Sequence, residues 1–272
     1  MLFRPSLPVR PIVIAALVSL CATAALAHEF WIEPREYQVQ SAAPLVADLR
    51  NGQNFAGPEL AYFPKRFQRF DLVRNGQTTP VDGRMGDVPA LQTHAPDAGL
   101  LVIVHQTAPK TLKYATWEKF ATFAAHKDFA DMRARHDARG LPEKGFSEIY
   151  TRHAKALIGV GDAHGSDAPT GLETEFIALS NPYTDNLAPG MSVQLLYQGL
   201  PRADAQIEVF ARSPEGVVTV TLTRTDAQGQ AVIPVQAGHR YLLDAVVLRA
   251  APEGGDAVWE TLWAALTFGV PG

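Results

Sequence analysis

The only cysteine of the chain, Cys21, falls inside a predicted export leader, and that constrains how everything after it can fold. Arg4 and Arg10 give the leader a positive start, and Ile12 to Ala22 is an apolar run without charge. Ala25-Leu26-Ala27 is the small-x-small pattern after which signal peptidase cuts. The expected leader is residues 1–27, and the expected mature chain begins at His28 without a cysteine. That rules out a disulfide framework, a zinc thiolate site and a cysteine nucleophile, so packing alone must hold the mature fold. A lipid anchor on Cys21 needs a small residue before it, and Leu20 stands there. An exported chain that folds without disulfides fits the bacterial periplasm.

Packing needs apolar mass, and 47% hydrophobic residues in a chain of 272 provide it. With 24 Lys+Arg against 28 Asp+Glu, counterion release from nucleic acid has no excess of positive charge to draw on. The leader holds two Arg and no acid, so the mature chain carries 22 Lys+Arg against 28 Asp+Glu, a net charge of −6. No run of about 18 apolar residues follows the leader, so the sequence predicts a soluble mature protein.

From His28 to about Gln106 the apolar pattern is that of strands. Tyr37 to Gln40, Leu45 to Arg50, Arg69 to Val73 and Leu100 to His105 are β-branched or alternating runs separated by Asn-Gly, Gly-Pro and Asp-Gly turns. From Trp117 the period becomes helical, with Phe120, Phe123, Ala124, Phe129 and Met132 near one face, Asp131 placed to pair with Arg135, and Gly140-Leu141-Pro142 as a stop. A second helix is predicted over Ser147 to Ile158, capped by Ser147 and with Glu148 four residues before Arg152.

Gly159 to Gly171 is a Gly-rich loop and the predicted boundary between domains. Beyond it, Met191 to Tyr197, Ile207 to Ala211, Val218 to Leu222, Tyr241 to Val247 and Leu262 to Phe268 alternate as strands, and Thr225 to Gly229 reads as a tight hairpin with Gly at the positive-φ position. The expected fold class is mainly β, with two β-sandwich-like domains, the first carrying an inserted helical hairpin. Residues 28–172 form the N-terminal β-rich domain and residues 173–272 an immunoglobulin-like sandwich.

The residue that most directly suggests chemistry is His28. Cleavage after Ala27 leaves one residue with a free α-amine and an imidazole Nδ1 that can close a chelate ring on a single metal ion. Nitrogen donors of this kind suit Ni, Cu, Co or Zn. His105, at the end of an apolar strand, is the candidate second ligand. His153 has core-facing spacing, His126 and His136 lie on a charged helix and read as solvated, and His94 and His239 stand in turns. His164 shares its loop with Asp162 and Asp167. No P-loop, HExxH, GxSxG or EF-hand pattern occurs. Trp31, Trp117, Trp259 and Trp263 are predicted to pack rather than to form a sugar platform.

The start His28-Glu29-Phe30-Trp31-Ile32-Glu33-Pro34, Asn51 to Phe55, Trp117 to Phe120 with Arg139 to Pro142, Tyr150 to Leu157, and Trp259 to Phe268 together resemble an uncharacterised-function (DUF-type) family of exported bacterial proteins, grouped with periplasmic components of cobalt and nickel uptake. The likeness runs over essentially the whole mature chain. The family pattern Arg-Tyr-x-Lys is here Arg152-His153-Ala154-Lys155, and Thr225-Asp226-x-x-Gly229 is similar to the hairpin of a carboxypeptidase-regulatory-like sandwich. The resemblance implies a periplasmic protein that binds nickel or cobalt and hands it to a membrane transporter, with no catalytic residue. The alternatives are a copper histidine-brace redox enzyme using His28 and His105, and a metal-free envelope protein that binds a partner through an edge strand.

Overall fold

The computed structural model describes residues 28–272, so the leader and Cys21 lie outside the described residues. The described chain is mainly β, and its strands form three sheets stacked as layers. The middle layer is a 10-stranded sheet whose main path runs Val218–Arg224, Gln206–Arg212, Arg240–Ala250, Ala257–Gly269, Phe146–Val160, Gly99–Thr107, Phe67–Arg74 and Gln77–Pro80. Two further strands, Gln38–Val39 and Lys110–Tyr114, pair with Phe146–Val160. Ala257–Gly269 lies parallel to Phe146–Val160, so the centre of the sheet joins strands from both sides of the predicted boundary loop.

The two-residue period of a strand explains the layering. Leu101, Ile103, Ala154, Ala156, Ile158 and Leu242 face one way, onto Trp31, Ile32, Leu45 and Leu91. Those four belong to a 4-stranded sheet of Glu29–Pro34, Pro44–Gly52, Glu59–Leu60 and Leu91–His94. Leu100, Val102, Val104, Leu157, Leu243 and Leu266 face the other way, onto Phe176, Met191, Val193 and Ile233. These come from the third sheet, Thr174–Ala178, Met191–Tyr197, Leu200–Pro201 and Gln230–Ile233. At one end two short helices, Trp117–His126 and Met132–Ala138, place Phe120, Phe123 and Met132 against Val246, Leu248, Trp259 and Trp263.

The helical pair is therefore Trp117–His126 with Met132–Ala138, and the predicted helix over Ser147 to Ile158 is instead the 15-residue strand Phe146–Val160. A strand buried on both faces carries a nearly unbroken apolar run, and such a run mimics one side of a helix. Glu148 and Arg152 accordingly stand on one face of a strand instead of pairing across a helical turn. Asp131 and Arg135 do approach, at 3.7 Å. Gly229 has the expected positive φ of 70°, and the Asp226 Oδ1 accepts hydrogen bonds from the backbone N–H groups of Gln228 and Gln230. The strands on either side of that turn enter different sheets, so it is a crossover between layers and not a hairpin.

The loop after Val160 is fastened to the sheet by a buried cation. The Lys155 Nζ lies 2.8 Å from Asp167 Oδ2 and 3.5 Å from Glu175 Oε2, and all three side chains are almost wholly inaccessible. Each carboxylate also accepts backbone N–H groups, Asp167 those of Ala168 and Ala178, and Glu175 those of Thr170 and Gly171.

Candidate functional site

Where the first interlayer core ends, the gap between the first sheet and the middle sheet opens into a cavity of about 380 Å³. Alternation supplies its walls. Lys110, Leu112 and Tyr114 project from one strand, and Glu148, Tyr150 and Arg152 from its antiparallel neighbour, with Tyr150 opposite Lys110 and Glu148 opposite Leu112. Trp263 comes from the parallel partner, in register with Arg152. His28, Phe30, Asn51 and Leu60 close the side toward the first sheet, and Phe123 of the longer helix closes the end.

The Arg152 guanidinium lies 4.5 Å from the Trp263 ring centroid and 5.2 Å from that of Tyr150, a cation–π geometry with each ring. Its backbone N–H donates to Thr107 Oγ1 at 3.0 Å. Among the described residues its Nη1 is buried with no hydrogen-bond partner. Burial pushes the Arg152 pKa down, and nearby Asp244, Tyr150 and Glu148 only partly oppose that. Lys110 is also pushed down, by burial first and then by the charges of Arg66 and Arg152.

Glu148 is committed elsewhere. Its Oε2 accepts from the Tyr114 hydroxyl at 2.7 Å and its Oε1 from the Thr261 hydroxyl, while Trp263 Nε1 donates to Thr261 Oγ1 at 3.1 Å. Burial raises the Glu148 pKa against the lowering effect of the Thr261 and Tyr114 hydrogen bonds. The cavity thus joins two cations to an aromatic hollow, with its one carboxylate already saturated by hydroxyl donors.

His28 is exposed at the cavity mouth, immediately before Glu29–Pro34, whose first residue pairs with Gly52. His105 is 2% exposed, and the rings of Phe30, Phe67 and Phe70 surround it at 5.1–5.2 Å. Neither of its ring nitrogens has a partner among the described residues. Burial, and secondarily the Lys110 charge, lowers its pKa to about 3, so the ring is neutral. Phe30 both lines the cavity and packs on His105, so it stands between the cavity and that imidazole.

His153, His136 and His126 make structural contacts. His153 is buried as expected and its Nδ1 lies 3.1 Å from the Trp263 carbonyl oxygen. His136, predicted to be solvated, is fully buried, because its Nδ1 accepts from Trp259 Nε1 at 3.1 Å and its Nε2 lies 3.1 Å from the Pro142 carbonyl oxygen. His126 Nε2 lies 3.0 Å from Glu208 Oε1, and Glu208 with Asp244 holds the buried Lys127 Nζ at 2.7 and 2.9 Å. Asp167, beside His164 in sequence, is taken by Lys155. Among the described residues no three of His, Cys, Asp and Glu gather as a metal site.

Sequence reasoning missed Lys110, Tyr114, Tyr150, Arg152 and the second role of Trp263, which packs and also lines the cavity. Reading 146–152 with period 2 would have placed Glu148, Tyr150 and Arg152 on one face; the helical assignment scattered them.

No curated protein matches the chain. Among solved structures, the D0-D1 domain of Intimin is similar at 11% identity over 88% of this chain and 97% of that one, with a TM-score of 0.20. A tetra-tandem repeat in the extending region of a large adhesion protein is similar at 12% identity over 88% of this chain and 49% of that one, with a TM-score of 0.18. A family model described as a domain of unknown function, DUF4198, matches residues 25–249, nearly all of the described chain up to the end of Arg240–Ala250, and the chain belongs to that family.

Proposed function

We propose that the mature protein is a periplasmic carrier of a transition metal, nickel or cobalt, that supports uptake by passing the ion to a membrane transporter, with His28 as its anchoring ligand. The observation that carries this reading is the position of His28: exposed, at the mouth of a cavity, and one residue before a strand that is paired from its first residue. Cleavage before it creates an amine and an imidazole on one rigidly mounted residue, and such nitrogen pairs favour late divalent metals. The protein then fills only part of the coordination shell, and the remaining positions go to ligands from solution, which suits an ion that must be given up again. The layered sheets beneath act as the scaffold, residues 173–272 among them.

The copper redox alternative draws on a different observation, the two unpartnered nitrogens of neutral His105. Equilibrium dialysis of the protein beginning at His28 against Ni, Co, Cu and Zn separates the readings. A carrier retains Ni or Co and consumes no oxygen with a reductant. A brace enzyme prefers Cu and turns over oxygen or peroxide. Retention of no metal leaves the metal-free interaction protein in place of both.

A further inference from the structure

We infer that the cavity beneath His28 is a binding site for a small organic carboxylate with a planar apolar body, its carboxylate on Arg152 and its ring against the apolar lining of Phe30, Leu112 and Phe123. The inference is independent of the metal reading. A guanidinium carries five N–H donors and is normally kept in a protein interior by a carboxylate. Arg152 has no carboxylate in contact: among the described residues it forms no ion pair, Asp244, Glu148 and Glu29 act on it only at longer range, its Nη1 is buried and unpartnered, and Glu148 is taken up by Tyr114 and Thr261. The rings of Trp263 and Tyr150 lie 4.5 and 5.2 Å from its guanidinium carbon and hold the group at the cavity wall.

Lys110 adds a second cation on the same wall, so an anion entering here meets two cations that form no ion pair among the described residues. The rest of the lining, with Phe30, Leu112 and Phe123, favours an apolar ring over a strongly hydrated inorganic anion. A volume of about 380 Å³ lies within the ordinary range for small-ligand cavities. Bidentate guanidinium–carboxylate pairing would supply orientation, and contact with Phe30, Leu112 and Phe123 would supply most of the apolar burial.

The test is isothermal titration calorimetry on the protein beginning at His28, freed of metal with EDTA, using indole-3-carboxylate, its neutral carboxamide and inorganic phosphate. The acid should bind at least about tenfold more tightly than the amide, since loss of a charge-assisted pair costs that much or more. Arg152→Met should reduce acid binding by about tenfold or more, and Lys110→Met by a smaller factor of about three, with circular dichroism confirming that each variant is folded. If Arg152→Met does not fold, the acid–amide comparison and Lys110→Met decide the matter. Equal binding of acid and amide, phosphate binding more tightly than the acid, or no heat from indole-3-carboxylate, benzoate and 2-naphthoate at about 1 mM overturns the assignment. Because metal is absent throughout, failure here leaves the His28 proposal to its own test.

Discussion

Glu29 follows the proposed ligand directly and is itself 4% exposed. Burial, with the charges of Asp244 and Glu208 outweighing that of Lys127, raises its pKa from 4.5 to about 7. The folded protein therefore holds this proton over a pH range in which the unfolded chain has lost it, and stability falls as pH rises from 4.5 toward 7, by about 3 kcal/mol. Denaturant melts of Glu29→Gln across that range should lack this decline. His105 has the opposite sign: its folded pKa of about 3 lies below the ordinary 6.5, so its contribution is complete above 6.5 and is lost as pH falls toward 3. His105→Phe should remove that acid sensitivity and raise stability at pH 7 by about 1–3 kcal/mol, because two buried, unpaired nitrogens disappear into a cluster of phenyl rings. Metal affinity measured on the same variant shows whether His105 is a ligand: an unchanged value assigns it to the core, and a loss assigns it to the site.

Phe146–Val160 is the element on which both the fold and the cavity depend. It pairs with Ala257–Gly269, Gly99–Thr107, Lys110–Tyr114 and Gln38–Val39, and it serves both interlayer cores as well as the cavity wall. Lys155 on this strand neutralises Asp167 of the following loop and Glu175 of the strand Thr174–Ala178. Lys155→Met leaves two carboxylates buried without their cation and should cost about 3–5 kcal/mol in chemical denaturation, with the loop becoming the first site of protease cleavage. The flanking strands could be read from sequence because alternation is plain where one face is wet or one neighbour is thin, as in Leu45 to Arg50 and Met191 to Tyr197. Phe146–Val160 could not, because Ala154, Lys155, Ala156 and Leu157 are good helix formers and only tertiary packing makes them a strand. The cavity was hidden by the same error, while the proposal for His28 rests on an expected cleavage site and not on packing.

Across the whole molecule, a continuous sheet carries strands from both halves of the chain, and ten residue pairs join Phe146–Val160 to Ala257–Gly269 at its centre. The first sheet covers one face of it, and the free end of that sheet is where His28 meets the cavity. If the leader is cut after Ala27 as proposed, His28 becomes a chain end seated directly on a paired strand, and its chelation is open to a single measurement. The nickel affinity of protein beginning at His28 is compared, by calorimetry at one pH, with that of protein carrying one additional alanine before His28. The extension turns a basic amine into a non-basic amide while leaving the imidazole, the strand and the cavity in place, so a chelating terminus predicts a loss of about a hundredfold or more in affinity, and weaker binding by the native form as pH falls because protons compete for both nitrogens. Equal affinity in the two proteins, or no binding by either, contradicts the account.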